Sequence, residues 1–251
     1  MLHSFFSALS SLTILRIRSD ISNASPAGTL ACFPIVGLLF GIGAMALVTV
    51  LQAKLPYLSA YTVVAFWLLL SGGTHIQGLA KSVNALLCEG DLAERRELME
   101  VDELFLPGLL GALLLLIGKL FALLQAQLLA PGVVGVMVLL VPVLSRYVAL
   151  MVAIGGDGSE QGPRISGSAR VVIGTTLLVL LLGALSPTVA LSLLTAALVS
   201  AMLLRWISLS RLASVSPSML GATIETTELV MLWIPVLCAG LGINLALLQL
   251  W

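Results

Sequence analysis

The chain has 251 residues, of which 59% are hydrophobic and 10% are charged, and its mean hydropathy is +1.14. Soluble domains carry about a quarter of charged residues, so this composition excludes an ordinary soluble protein and predicts an integral membrane protein surrounded by a lipid bilayer. The formal net charge is zero, which argues against nucleic acid as a partner.

The N-terminal part of the chain, residues 1–33, is predicted to lie at the membrane interface. Its apolar stretch 2–15 is short for a crossing, and Arg16, Arg18 and Asp20 follow at once. A crossing helix needs about 20 predominantly apolar residues. An amphipathic segment that lies along the bilayer surface is therefore the expected structure here.

The rest of the chain alternates between apolar stretches and short turns or polar segments. We expect an all-α fold, a polytopic helical bundle of about seven spans, with six to eight crossings compatible with the lengths of the stretches. The whole chain, 1–251, is expected to form a single membrane domain. The expected spans are approximately 34–52, 57–71, 107–129, 133–154, 171–185, 188–204 and 229–250.

Three polar stretches, 72–106, 155–170 and 205–228, lie on the same side as the N-terminus when the crossings are counted as seven. Together with the N-terminal segment they carry nine of the twelve Lys and Arg residues. Cytoplasmic loops of membrane proteins carry an excess of these residues. We therefore expect a multi-pass protein of the inner (plasma) membrane whose main loops are cytoplasmic.

The first polar stretch places several polar side chains on one helix face. After His75, the side chains of Gln77, Lys81 and Asn84 follow at spacings i, i+4 and i+7, which share a face. Two interpretations stay open, a functional site at the mouth of a span and an interfacial or re-entrant helix whose polar face meets water. The run 89–103 that follows, with seven acids and two arginines, predicts a solvated helix.

Charged residues also fall within or beside expected spans. Arg146 lies inside one of them, and a buried arginine in a membrane usually faces a polar cavity or an anion, so a functional role is favoured. Lys119 invites the same interpretation on weaker grounds. Glu225 and Glu228 are three residues apart and could hold Mg²⁺, pair with Arg146, or cap the first turn of the last span.

Three ordered motifs make the sequence similar to the cobalamin synthase family (adenosylcobinamide-GDP ribazoletransferase). The family's signature Gly-Gly-x-His-Leu-Asp-Gly-Leu-Ala-Asp-Thr-x-Asp-Gly aligns without a gap with residues 72–85, Gly-Gly-Thr-His-Ile-Gln-Gly-Leu-Ala-Lys-Ser-Val-Asn-Ala. Its Phe-Pro-Leu-Val-Gly-Leu-Leu-x-Gly aligns with residues 33–41, Phe-Pro-Ile-Val-Gly-Leu-Leu-Phe-Gly. Its Leu-Gly-Ala-x-x-Glu-x-x-Glu aligns with residues 220–228, Leu-Gly-Ala-Thr-Ile-Glu-Thr-Thr-Glu.

The resemblance implies a membrane enzyme that joins adenosylcobinamide-GDP, a corrinoid nucleotide, to α-ribazole or its 5′-phosphate. GMP is released with the help of Mg²⁺. The implied site falls into catalytic, substrate-binding and metal-binding groups. These are, in that order, His75, Gln77, Lys81, Asn84, Asp102 and Arg146; then Gly72, Gly73, Gly78, Ser218 and Gly221; then Glu225 and Glu228.

The sequence departs from the family pattern at its acidic residues. Gln77, Lys81 and Asn84 replace the three signature aspartates, residues 216–218 (Ser-Pro-Ser) replace Thr-Gly-Asp, and Asp102 is what remains of Asp-Ser-Arg. Mg²⁺ prefers carboxylate oxygens, and phosphoryl transfer depends on metal and positioned cations. Because one electrostatic group is often worth ~10²–10³ in rate, these losses predict impaired or absent transfer. Lys81 could partly replace the ion by contacting a phosphate.

Three functions therefore stay open. The first is a divergent transferase that uses Glu225, Glu228, Asp102 and Lys81. The second is an inactive paralogue that binds a corrinoid or nucleotide or pairs with an active synthase or another membrane subunit. Among partners, a homo-oligomer also stays open. The third is a small transporter or channel, which the nearly charge-free turns on the far side of the expected bundle disfavour.

Overall fold

The computed structural model describes residues 2–15, 24–103, 105–154, 169–243 and 245, and within these ranges it contains helices and no strand. Most of the predicted loop 155–170, the charged residues of 16–20 and the end of the last predicted span lie outside the described residues. The helices are α1 (Leu2–Leu12), α2 (Pro26–Ala31), α3 (Phe33–Leu51), α4 (Pro56–Ser71), α5 (Thr74–Leu87), α6 (Leu92–Glu100), α7 (Leu106–Leu129), α8 (Pro131–Ile154), α9 (Ala169–Gly183), α10 (Pro187–Leu212) and α11 (Pro217–Gly240).

The predicted membrane helical bundle is confirmed. Among the described residues, five helical segments are long and apolar enough to cross a membrane, and a sixth crossing results if α4 and α5 count as one bent span. Each of the seven expected spans coincides with an apolar helix, but α4 and α9 are short. The number of crossings therefore stays a prediction.

Proline fixes where many of these helices begin. A proline occupies the first or second position of α2, α3, α4, α7, α10 and α11. The missing N–H of proline has no partner at that position in any helix, and its fixed φ suits the first turn. Some described connections, such as those between α2 and α3 and between α9 and α10, are consequently short.

Helix α8 is the centre of the bundle and is buried along most of its length. It packs against α3, α10 and α11. Gly37 and Gly41 of α3 face it so closely that a Cβ atom on either would collide with the carbonyl groups of Pro142 and Leu139. Small residues permit this separation between membrane helices. The glycines of the Phe-Pro-Ile-Val-Gly motif thus serve helix packing.

Helical structure extends into two of the predicted loops. The expected loop 72–106 contains the buried helix α5 and the exposed helix α6, and the expected loop 205–228 contains the end of α10 and the first half of α11. The first span also starts earlier, since α2 and α3 together form an apolar segment from Pro26 to Leu51. Polar composition suggested loops, but many of these polar side chains are bonded inside the bundle.

The charged run behaves as predicted. Within it, Leu92–Glu100 forms helix α6, which Asp91 caps by accepting hydrogen bonds from the N–H groups of Ala93 and Glu94. Most of its side chains are exposed, and Met99 is buried. This part of the chain is a solvated helix that buries Met99 against the bundle.

Candidate functional site

A sharp bend delivers the polar helix α5 into the bundle. Helices α4 and α5 meet at an angle of 84°, and the residues between them, Gly72 and Gly73, have φ values of 62° and 72°. This left-handed conformation is readily adopted by glycine alone. Neither glycine lines the cavity described below, so both act here as the joint between the two helices.

Helices α5 and α11 touch at a pair of glycines. A Cβ atom on Gly78 would lie 2.7 Å from the carbonyl oxygen of Ser218, and one on Gly221 would lie 3.2 Å from the carbonyl oxygen of His75. The two backbones can approach this closely because neither position carries a side chain. The crossing brings the first and third family-like motifs to one place.

A cavity of about 470 Å³ opens beside this crossing. Its apolar walls come from α1, the start of α3, the end of α8 and α11, and α5 forms one side. The volume is typical of a small-molecule site. The polar side chains that line it are those of Ser11, Thr74, His75, Gln77, Lys81 and Ser218.

Lys81 lies at the edge of the cavity and is held by an acid outside it. Its Nζ donates to Asp102 Oδ1 at 2.7 Å and approaches the carbonyl oxygen of Glu100 at 3.5 Å. The Asp102 side chain is 90% exposed. The hydrogen bond from Lys81, followed by its positive charge, lowers the pKa of Asp102 below its ordinary value.

The segment after α6 is fastened to the rim of the cavity at a second point. The hydroxyl of Ser218 donates to the carbonyl oxygen of Met99 at 3.1 Å. Together with the bonds of Lys81, this contact fixes residues 99–102 across α5 and α11. Ser218 thus serves both the cavity lining and the position of this segment.

His75 has an unusual environment. Its side chain is 5% exposed and lines the cavity, yet within the described part of the chain its Nε2 atom has no hydrogen-bond partner. Buried polar atoms are rarely left unpaired without a reason. His75 is therefore a residue of the cavity lining whose Nε2 atom has no bonding role within the described structure.

Asn84 does not line the cavity. Its Oδ1 accepts a hydrogen bond from the backbone N–H of Gly108 at 2.7 Å, in the first turn of α7, where no side chain from within α7 provides a cap. Helix α5 extends beyond the cavity, so Asn84, which follows Lys81 by about one turn, reaches the neighbouring helix α7 instead. Asn84 therefore has a structural partner, and its predicted catalytic role remains untested.

Deeper in the bundle, four charged residues form what we call the buried quartet: Lys119, Arg146, Glu225 and Glu228. Lys119 Nζ lies 2.5 Å from Glu225 Oε2 and 2.6 Å from Glu228 Oε2. Arg146 Nη1 lies 2.6 Å from Glu228 Oε1. Every one of the four side chains is at most 7% exposed. Two positive and two negative charges balance in the interior.

Neighbouring groups hold the arginine of the quartet in place. Arg146 Nη1 also donates to the carbonyl oxygen of Pro142 and to the Ser145 hydroxyl, each at 3.1 Å. Its guanidinium lies 4.2 Å from the centre of the Phe40 ring, a cation–π contact. Ser145 in turn donates to Glu228 at 3.1 Å. The predicted pairing of Arg146 with a glutamate is present.

The two glutamates lie well inside α11, which begins at Pro217. The interpretation that they cap the first turn of the last span is therefore wrong. The position of Lys119 in an apolar stretch is the sequence feature that points to its buried pairing. Of the predicted site residues, the cavity lining includes His75, Gln77, Gly78, Lys81, Ser218 and Gly221, while the quartet includes Arg146, Glu225 and Glu228.

The glutamate pair is poorly suited to Mg²⁺ in this arrangement. Three of its four carboxylate oxygens already accept hydrogen bonds from Lys119, Arg146 or Ser145. An ammonium group between the carboxylates repels a second cation. Over the described residues, no cluster of three or more His, Cys, Asp or Glu side chains is arranged to hold a metal.

Comparison with known proteins gives a consistent match. Residues 4–236 match the family described as cobalamin-5-phosphate synthase. The chain is 33% identical to the adenosylcobinamide-GDP ribazoletransferase of Pseudomonas fluorescens (strain SBW25), over 81% of this chain and 86% of that protein. It is 31% identical to the same-named protein of Pseudomonas putida (strain W619), over 90% and 95% of the two chains. No solved structure matches significantly.

Proposed function

The chain belongs to the cobalamin-5-phosphate synthase family, and we propose that it binds a corrinoid nucleotide such as adenosylcobinamide-GDP at the cavity beside α5 and α11 while its transferase activity is impaired. The family reaction would transfer the adenosylcobinamide phosphate group to α-ribazole or its 5′-phosphate and release GMP. The multi-pass helical structure is consistent with this proposal. Ligand binding and the rate of GMP release are the quantities that test it.

One observation carries the proposal. Among the described residues that line the cavity there is a lysine, Lys81, and a buried histidine, His75, whose Nε2 has no partner, but there is no carboxylate. Such a lining suits a phosphate group, which a lysine binds as a point charge. It does not suit a metal ion that needs hard anionic ligands.

The volume of the cavity supports binding of part of the ligand. A cavity of about 470 Å³ accommodates a group of ordinary drug-like size, which a corrin ring with its adenosyl and nucleotide substituents exceeds. The phosphate-bearing end is the part that matches Lys81 and His75. The corrin would then remain outside the cavity, towards the membrane surface.

The expected impairment follows from electrostatics. In-line phosphoryl transfer develops negative charge that metals and positioned cations must stabilise. Lys81 is the cation that the cavity lining offers, and it is already bonded to Asp102. One ammonium group in place of several metal-holding carboxylates would leave the transition state largely unsupported.

Binding and turnover are tested separately with the purified full chain in lipid nanodiscs. We expect adenosylcobinamide-GDP to bind, and GMP release with α-ribazole and Mg²⁺ to stay near background. The comparison variant carries Gln77→Asp, Lys81→Asp, Asn84→Asp and Ser218→Asp, and is expected to release GMP faster. Failure to bind, or fast release by the unchanged chain, contradicts the proposal.

Complementation of a strain that lacks its cobalamin synthase provides an independent measure. Growth with the unchanged chain would show that transfer proceeds without the aspartates. Growth only with the four aspartates restored would support an intact scaffold with an impaired site. Binding of the ligand without GMP release, together with no growth in complementation, corresponds to the inactive paralogue.

The orientation in the membrane is also part of the proposal. The Lys and Arg excess of the polar stretches supports a cytoplasmic location in an inner membrane. Helix α6 provides a test, since Glu94 is exposed there. In a variant whose native cysteines are replaced, Glu94→Cys is expected to react with a membrane-impermeant thiol reagent in inverted vesicles and not in intact cells with a permeable outer layer.

A further inference from the structure

The ammonium group of Lys119 lies between two carboxylates, as a bound metal ion lies between its ligands. Its Nζ lies almost equally far from two carboxylate oxygens, 2.5 Å from Glu225 and 2.6 Å from Glu228. The ammonium group donates from α7, whereas both acids project from α11, a turn apart. The lysine side chain is 2% exposed, so bulk solvent screens these charges little.

Two buried carboxylates this close together require a positive charge between them. Ionised acids repel each other, and burial removes the water that would screen them. A divalent ion, an ammonium group or a proton shared between the two acids can relieve this repulsion. In this chain the ammonium group comes from the protein itself, and Arg146 balances the second acid at 2.6 Å.

We propose that Lys119 is the resident cation of the glutamate pair, that it occupies the position a divalent metal would otherwise take, and that Glu225 and Glu228 therefore hold no Mg²⁺. The quartet is already neutral, with two positive and two negative charges. A divalent ion added to it would introduce a net charge of two into a desolvated region, which is strongly unfavourable. This inference does not depend on the proposed corrinoid ligand.

The first test measures metal binding by the unchanged protein. Mn²⁺, a spectroscopic substitute for Mg²⁺, is titrated into the full chain in nanodiscs and followed by electron paramagnetic resonance. The exposed acids of α6 are expected to bind some Mn²⁺ weakly. The control carries Glu225→Gln with Glu228→Gln, and we expect it to bind the same amount. Mn²⁺ binding that this control abolishes would overturn the proposal.

The second test removes the lysine in two ways that differ in the space they leave. Lys119→Ala removes both the charge and the side-chain volume, so Mn²⁺ should bind at the glutamates about tenfold or more tightly than to the unchanged protein, a difference equal to about 1.4 kcal/mol. Lys119→Met removes the charge but fills the same space, so little gain is expected. Adding Glu225→Gln to Lys119→Ala should remove the gained binding.

These outcomes separate the alternatives. A folded Lys119→Ala protein that gains no Mn²⁺ would show that the lysine does not occupy a metal position. Equal gains by the alanine and methionine variants would contradict the claim that the ion takes the place of the lysine. If the alanine variant fails to fold without metal, recovery of the folded protein by Mn²⁺ supports the proposal. If Mn²⁺ does not recover it, the titration of the unchanged protein decides.

Discussion

Replacing Glu228 with glutamine is expected to lower the free energy of unfolding by about 3–5 kcal/mol, the range found when one partner of a buried ion pair is removed. Glu228 accepts hydrogen bonds from Lys119, Arg146 and Ser145. It is the sole carboxylate partner of Arg146 among the described residues. Its loss leaves a buried guanidinium without a counter-charge.

The matched comparison is Glu225→Gln. Among the described residues Glu225 bonds to Lys119 alone, and Lys119 would keep Glu228 at 2.6 Å. We expect a smaller loss, roughly 1–3 kcal/mol, close to that of a single buried hydrogen bond to a charged group. The order of the two effects is therefore set by which cation loses its last partner.

Both values are measured by denaturant unfolding of the full chain in bicelles, with linear extrapolation to zero denaturant. A third variant removes a pair, Arg146→Met with Glu228→Met, and leaves the neutral pair of Lys119 and Glu225. It should be less destabilised than Glu228→Gln alone, because apolar replacement of a whole buried pair is often tolerated. Equal losses for the two single glutamine variants would refute the reasoning.

Three further changes test other contacts of the site. Asn84→Ala should lower the free energy of unfolding by about 1–3 kcal/mol, because the buried N–H of Gly108 loses its acceptor at 2.7 Å. Gly78→Ala should cost about 1–3 kcal/mol and weaken ligand binding, because its Cβ would lie 2.7 Å from a carbonyl oxygen of α11. Asp102→Asn should tighten the binding of a phosphate-bearing ligand about tenfold, because it releases the lysine at the cavity edge.

Each of these changes has a control. Asn84→Asp keeps an acceptor oxygen but buries a carboxyl group at a site that is 6% exposed. A smaller loss than that of alanine therefore supports capping, and for alanine itself a loss below about 0.5 kcal/mol would argue against it. Gly135→Ala adds a Cβ with no neighbour within 4 Å and should be nearly neutral or stabilising.

Since the pKa of Asp102 is lowered, the ion pair between Asp102 and Lys81 is lost only as the pH falls through that lowered value. Ligand affinity should therefore not rise through loss of this pair between about pH 7 and pH 5.

Much of the architecture followed from the sequence because apolar stretches in a membrane have few alternatives to a helix. The spacing of Gln77, Lys81 and Asn84 also predicted a helix, and all three residues lie in α5. What spacing could not show is how far each residue lies from the cavity. Gln77 and Lys81 line it, while Asn84 reaches α7, because partners across helices depend on packing.

The quartet shows the same limit more sharply. A lysine inside an apolar stretch must be paired, and Lys119 could be recognised on that ground. Its partners, however, lie 106 and 109 positions further along the chain. Polar composition near Glu225 suggested a loop, whereas pairing with Lys119 and Arg146 allows these acids to lie inside α11. Charge neutralisation by another helix leaves no local pattern in the sequence.

The neutrality of the quartet has a consequence for a protein in an energised membrane. A transmembrane potential does work on net charge, about 2.3 kcal/mol per elementary charge moved across 100 mV. The two cations and two anions of the quartet move together with the packed helices, so the electrical work on them cancels. The quartet therefore contributes no net charge on which the potential can do work, whereas loss of one carboxylate would leave one net positive charge there.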